Sequence, residues 1–376
     1  RGTTYNAFLV MADRITLIDT VKGAFREEML GRIASVVDPR KIDTIISNHS
    51  EMDHSGCLPE VIDQVKPQRV LASTKGAEAL ARHFHKLDPV TAVGDGEDVD
   101  LGNMTLTALE TKMLHWPDSM MTYLHEDKVL FSQDGFGMHL ASSERFDDEL
   151  SEEVMEEEAA KYYANILTPF SRIADKAIGR LLDSGLELRL IAPDHGPVWR
   201  RRPQWIIERY QQWLQQPYTS RAVVLYDTMW GSTERMAAAI GDGLTARELH
   251  VDLMPLGSNH RSDVATRVLE AGALIVGTPT MNGQLFPTIA DCMTYLRGLQ
   301  PKNLVGAAFG SYGWAPKAVK DIEGILDDMK IERIGDSITA NYRPDDDELQ
   351  ACHDLGLAVG ERLAALTAAT GQGETT

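Results

Sequence analysis

Cysteine is nearly missing from this sequence: only Cys57, Cys292 and Cys352 occur in 376 residues, odd in number and far apart. That excludes a disulfide framework and leaves no paired thiolates for a zinc or iron–sulfur site, so a reducing, cytoplasmic setting is expected. Long apolar runs are missing as well. No stretch reaches the roughly 18 residues that a membrane helix requires. The opening RGTTYNAFLV shows strand-like alternation and no small-residue cleavage site, unlike a signal peptide. Positive charge is in deficit: 37 Lys and Arg face 56 Asp and Glu, a formal charge of −19. Such a balance disfavours binding to nucleic acid or to anionic membranes.

What the sequence does have is 43% apolar residues and enough length for two ordinary domains. In the first half, NAFLVMAD and RITLIDTV read as a hairpin. The pieces IDTIIS, RVLAST, MTLTALE, MTYLHED and KVLFSQ recur as strands between helical patterns such as CLPEVIDQV and KGAEALARHF. This mixture predicts a layered α/β sandwich with polar motifs at strand ends. The acidic stretch 144–167 reads as a solvated helix face, and PQWIIERYQQWLQQP as a helix running into a connector. The boundary is therefore placed at 217/218. The second half alternates strands AVVLYD, ELHVDLM, ALIVGTP and LVGAAFG with helices, and a short fifth strand at 331–340 precedes a closing helix at 346–367. That is the spacing of a doubly wound, five-stranded parallel sheet. The tail TAATGQGETT reads as frayed.

Two constellations carry chemistry. The first begins at NHSEMDHSG, which sets His49, Glu51, Asp53 and His54 directly after a buried strand; LHWPDS, FSQDGFG and APDHGP add His115, Asp134 and His195 at later strand ends. A single loop histidine is more often a surface or capping residue, but four such segments in one sandwich read as a metal site. Four imidazoles and three carboxylates serve two metals only if one carboxylate bridges, and Asp134 is the natural bridge. Such donors suit non-haem iron, manganese or zinc. The second is TMWGSTERMA, where Thr228, Ser232, Thr233 and the amides of Met229, Trp230 and Gly231 open a helix. An ordinary N-cap needs one hydroxyl; three in six residues favour a phosphate cradle. It is neither a Walker loop nor GxGxxG. Two later strand ends would converge with it at the carboxyl edge of the sheet. One is Thr278, Pro279, Thr280, Met281, Asn282 and Gly283; the other is Phe309, Gly310, Ser311, Tyr312, Gly313 and Trp314. Trp230, Tyr312 and Trp314 there read either as platforms for a flat ligand ring or as semi-exposed covers of a sheet end.

The first half resembles the metallo-β-lactamase fold, whose usual metal motif is H-x-H-x-D-H. Here Glu51 replaces the second histidine, which matches the variant of the flavodiiron proteins. The loop at Thr228 is similar to the FMN phosphate loop of flavodoxins, and the resemblance to a flavodiiron core covers nearly the whole chain. It implies two irons, one on His49, Glu51 and His115 and the other on Asp53, His54 and His195, with Asp134 between them. In some members the histidine matching His54 turns away and water takes its place; His139 has no coordination implied and reads as a structural hydrogen-bonding residue. The resemblance further implies FMN, and reduction of dioxygen to water, of nitric oxide to nitrous oxide, or both. LHWPDSM and GSYGW look most like the rubredoxin:oxygen oxidoreductases, which tilts the expectation toward oxygen. Because FMN and irons of one chain are far apart in the family, a head-to-tail homodimer or a dimer of such dimers is expected. A separate donor such as rubredoxin is also expected. Members normally carry further strands before RGTTYNAF, so the numbering is expected to start inside the first domain. Two other readings stay open: a zinc hydrolase of this fold fused to a flavodoxin-like domain, and a protein that stores iron or electrons without turnover.

Overall fold

The computed structural model describes residues 2–85, 87 and 90–369. The frayed tail expected from Thr367 lies, beyond Ala369, outside them. The chain divides into two compact units, Arg1–Tyr163 with Phe170–Leu214, and Ala164–Pro169 with Gln215–Thr376.

In the first unit, β1 (Phe8–Val10) and β2 (Ile15–Ile18) form the expected hairpin. β3 (Ile42–Ser47), β4 (Arg69–Ser73) and β5 (Thr91–Val93) extend it in parallel, in the order β1-β2-β3-β4-β5. A second sheet contains β6 (Asp98–Asp100), β7 (Thr105–Glu110), β8 (Met120–Leu124), β9 (Val129–Gln133) and β10 (Leu190–Pro193), with β10 parallel to β9 at its edge. Alternation along each strand divides the apolar side chains between two cores. Ile18, Ile46 and Leu71 face Leu106, Met120 and Phe131 of the other sheet, while Leu17, Ile45 and Ala72 face Leu30, Val61 and Leu80 of the helices Arg26–Ala34, Leu58–Val65 and Thr74–His83. Each such Ile or Leu contributes about 1.5–3 kcal/mol of burial. With apolar packing on both faces, polar residues are displaced to the strand ends, where the ligand-capable motifs lie.

The acidic stretch resolves into a helix, Glu152–Tyr162, capped by the Ser151 hydroxyl accepting from Val154 N–H, and then a π-helical turn, Tyr163–Leu167. It therefore stops short of the continuous helix that its composition suggests.

In the second unit, β11 (Arg221–Tyr226), β12 (His250–Pro255), β13 (Ala273–Pro279) and β14 (Val305–Tyr312) are parallel, in the order β12-β11-β13-β14. The fifth position differs from the expected single strand. β15 (Glu332–Arg333) and β16 (Ile338–Asn341) both pair with β14, and Gly335 between them has φ +69°. A left-handed glycine turns the chain there and splits the strand in two. The order reverses between β11 and β13, so the crevice at their carboxyl ends is the topological switch point.

Candidate metal and flavin sites

Each ligand-capable side chain of the first unit sits just past the end of a strand or on a loop tied to one. His49 to His54 follow β3, His115 lies between β7 and β8, Asp134 follows β9, and His195 follows β10. Parallel pairing of β9 and β10 brings Asp134 beside His195 although 61 residues separate them in sequence. All seven expected residues fall into two adjoining groups, His49, Glu51, His115 and Asp134, and Asp53, His54 and His195.

Asp134 joins the groups. Its Oδ2 lies 3.1 Å from His115 Nε2 and 3.4 Å from His49 Nε2. Its Oδ1 lies 3.1 Å from His54 Nε2 and 3.2 Å from His195 Nε2. Glu51 Oε2 is 3.2 Å and 3.3 Å from the Nε2 atoms of His49 and His115, and the two oxygens of Asp53 stand 3.4 Å from His54 Nε2 and 3.3 Å from His195 Nε2. His54 thus points into the group.

The donor set fits a pair of divalent ions. Asp53 Oδ1, Asp134 Oδ1 and His54 Nε2 are buried without a hydrogen-bond partner, a cost of about 1–3 kcal/mol each that a metal would remove. The carboxylates also leave their mark on the imidazoles. Burial pulls His49 down, but hydrogen bonds to Asp118 and Glu51 and the charge of Asp134 outweigh it and push it up to about 10. Burial likewise opposes, and Asp134 and Glu51 overcome, the rise of His115 to about 9. Hydrogen bonds from His115 and His49 hold Glu51 down at about 2.

Several participants escaped the sequence reading. Asp118 accepts from Ser50 N–H at 2.7 Å and stands 3.2 Å from His49 Nδ1. Asp194, fully buried, has Oδ2 3.3 Å from His54 Nδ1. Tyr162 packs its ring 6.0 Å from that of His195, and burial first, then the nearby Asp134, hold its phenol well above the usual range. His139, expected as a structural hydrogen-bonding residue, instead lies edge-on to His195 and Tyr162, at 5.0 Å and 4.9 Å between centroids.

In the second unit, the loop after β11 turns at Gly231, φ +81°, into the helix Ser232–Thr245. Thr228 Oγ1 accepts from Gly231 N–H at 3.0 Å, and Thr233 Oγ1 pairs with Ser311 Oγ at 3.0 Å, tying the first turn of the helix to the end of β14. Met229 and Met281 are exposed, and Ser232, Thr280, Tyr312 and Gly313 are half-buried at the same carboxyl edge; Asn282 and Gly283 form a left-handed turn with φ +53° and +72°. Thr278 and Pro279 are buried; Thr278 Oγ1 accepts from Phe286 N–H at 3.1 Å and shapes the second loop. Phe309 departs from the expectation. Its side chain is wholly buried in the core beneath Gly277, because alternation along β14 turns it away from the edge. At Gly310 a Cβ would run into Thr278 O, so that close approach of strands requires glycine. An FMN fits this edge on two observations: Trp230 and Trp314 are 90% and 88% exposed, and Thr280 Oγ1 is buried without a partner. A stacked ring system with polar edges would cover the first and satisfy the second.

Together the fold and sites define a metallo-β-lactamase-like two-metal domain followed by a flavodoxin domain. Residues 3–196 match the ODP family beta lactamase and residues 224–356 the flavodoxin family. The chain is 42% identical to a nitric oxide reductase of Moorella thermoacetica, covering 97% of this chain and 92% of that protein. It is 38% identical to the rubredoxin-oxygen oxidoreductase of Megalodesulfovibrio gigas, over 98% and 92%. The solved rubredoxin oxygen:oxidoreductase of Desulfovibrio gigas superposes with a TM-score of 0.95 at 38% identity, over 98% and 92% of the two chains. The flavodiiron protein of Giardia intestinalis gives 0.92 at 31%, over 98% and 91%. The chain belongs to the flavodiiron proteins.

Proposed function

We propose that this protein passes electrons through FMN to a diiron centre and there reduces dioxygen to water, nitric oxide to nitrous oxide, or both. The observation that carries this reading is the division of Asp134 between two complete ligand groups. His49, Glu51 and His115 would hold one iron, Asp53, His54 and His195 the other, and Asp134 both. The irons would supply open positions for a diatomic gas and the electrons that reduce it. Glu51 favours this over a zinc hydrolase, because it makes the first group richer in oxygen donors than the usual histidine would.

The chain's own residues orient and supply protons. Asp118 fixes the His49 ring, and Tyr162, protonated at neutral pH, offers an O–H beside Asp134. On the flavodoxin side, Thr228, Ser232, Thr233 and the intervening amides would cradle the phosphate, while Thr278 to Gly283, the backbone at Phe309, and Gly310 to Trp314 would frame the ring. A cytoplasmic homodimer, head to tail or paired again into a dimer of dimers, and a rubredoxin-like donor complete the proposal. The donor is supported by the name of the Megalodesulfovibrio relative. Relatives named for each gas share the fold, so both gases are to be tested.

The test is metal and flavin analysis followed by anaerobic reduction and exposure to each gas. Two irons and one FMN per chain with sustained consumption of at least one gas are expected. Zinc without flavin absorbance would restore the hydrolase reading, and reduced iron that fails to turn over with either gas would restore the storage reading.

A further inference from the structure

The geometry points to Thr4, Tyr5 and Asn6 as a positioning clamp on the turn that presents His195, and through it on the second metal group. This inference rests on the diiron reading above. Some 190 residues separate the segment from the turn, yet five polar groups of the turn are answered by it. Thr4 O accepts from His195 Nδ1 at 2.6 Å, and Thr4 Oγ1 accepts from Gly196 N–H at 2.7 Å. Asn6 N–H donates to Asp194 O at 2.7 Å, while Asn6 Nδ2 donates to Pro193 O at 2.7 Å and to Gly196 O at 2.8 Å. Tyr5 stands edge-on to the His195 ring, 5.6 Å between centroids, and is itself braced by Phe25 at 5.4 Å.

The chemistry of these bonds gives the clamp its function. A carbonyl oxygen can only accept, so Thr4 O requires the proton of neutral His195 on Nδ1 and leaves Nε2, beside Asp53 and Asp134, as the ring atom free to bind a metal. The turn is also closely packed against Met138. Gly196 has φ +78°, and a Cβ there would approach Met138 Cγ at 2.6 Å and Met138 O at 2.8 Å. The first metal group has a separate anchor, Asp118 on His49 Nδ1, so loosening the clamp should affect one metal and spare the other.

Partners of this kind are typically worth about 10–100-fold in metal affinity. Asn6→Ala in the full chain, loaded anaerobically with ferrous iron and then challenged with a chelator, should release one iron about 10–100-fold faster than wild type and retain the other. Thr4→Ala, which keeps the carbonyl and loses only the hydroxyl, should give a smaller acceleration. The Asn6 variant should also shrink the rise in melting temperature on metal loading, over and above the fall that two unpaired carbonyls cause in the metal-free protein. The spectrum of exchange-coupled iron should give way to that of a single site. Release of both irons together, or of neither faster than wild type, overturns the clamp. A metal-induced rise in melting temperature that equals the wild-type rise likewise reduces it to a fold-stabilising contact. Wild-type protein that never binds two irons would instead refute the reading on which the clamp rests, so the two failures are distinguishable.

Discussion

At the scale of the residue, protons and a metal would compete for the clustered histidines. In the metal-free protein His49 and His115 rise from an ordinary 6.5 to about 10 and about 9. Protonation then stabilises the fold fully below pH 6.5, and that contribution is lost as pH climbs through 9 and 10. Glu51, lowered from 4.5 to about 2, contributes fully above 4.5 and loses its contribution as pH falls toward 2. Metal binding runs the other way, because ligands must shed protons to bind. Chelated protein should therefore melt at lower temperature as pH is raised from 6.5 to 9.5, while its apparent affinity for ferrous iron rises. Differential scanning calorimetry and metal titration at matched pH check both arms; a metal-free melting temperature that climbs over that range contradicts the assignment. Replacement of Tyr162 by Phe addresses the proton supply: metal content should stay at wild type and turnover fall by about 10²-fold if the phenol acts as a general acid.

Elements set what each residue can reach, and at this scale much of the molecule was legible in the sequence. The apolar run IDTIIS and the motifs after it located the strands, and the polar letters beyond strand ends named seven side chains that the fold gathers into two groups able to hold a metal. That the Phe309 side chain lies in the core was not legible, because a motif names a loop, whereas the alternation of β14 decides which side chain leaves the core. Thr4, Asp118 and Asp194 were illegible for another reason: nothing local distinguishes a threonine whose carbonyl meets a histidine 191 positions away. Two predictions belong here. The buried Thr280 hydroxyl should meet the flavin, so Thr280→Val should weaken FMN binding about 5–10-fold, the worth of one hydrogen bond, read by flavin fluorescence. If the hydroxyl has no ligand, the same change should instead stabilise the unit. The helices Ser232–Thr245 and Asp346–Ala369 approach through Gly243 and Gly356, where a Cβ on Gly356 would meet Ile240 O and Leu244 N. Gly356→Val should cost about 1–3 kcal/mol of the flavodoxin unit's stability and leave iron content unchanged, as measured by denaturant unfolding and metal analysis.

For the whole molecule, the decisive question is which chain's flavin serves which chain's irons. If subunits pair head to tail, a chain disabled at the second metal by His195→Ala still offers its FMN to a partner. A chain disabled at the phosphate loop by Ser232→Glu still offers its irons. Each is inactive alone. After unfolding and refolding together in equal amounts, half of the dimers should be mixed and each should hold one working pair, giving roughly a quarter of wild-type turnover. No recovery in dimers shown to be mixed would mean that each chain serves itself. Among the described residues no helix is long and apolar enough to cross a membrane. The net charge of −19 should also make association with an acidic donor faster as salt is raised, by screening the repulsion.

The wide spacing of the candidate metal ligands along the chain has a consequence in time. His49 leaves the ribosome early, but His195 follows β10, the last strand of its sheet. A newly made chain therefore passes through a period in which three carboxylates and three imidazoles are already synthesised and the last imidazole is not. Long-range pairing of this kind is slow to form. Insertion of a metal into the second group would have to wait for it.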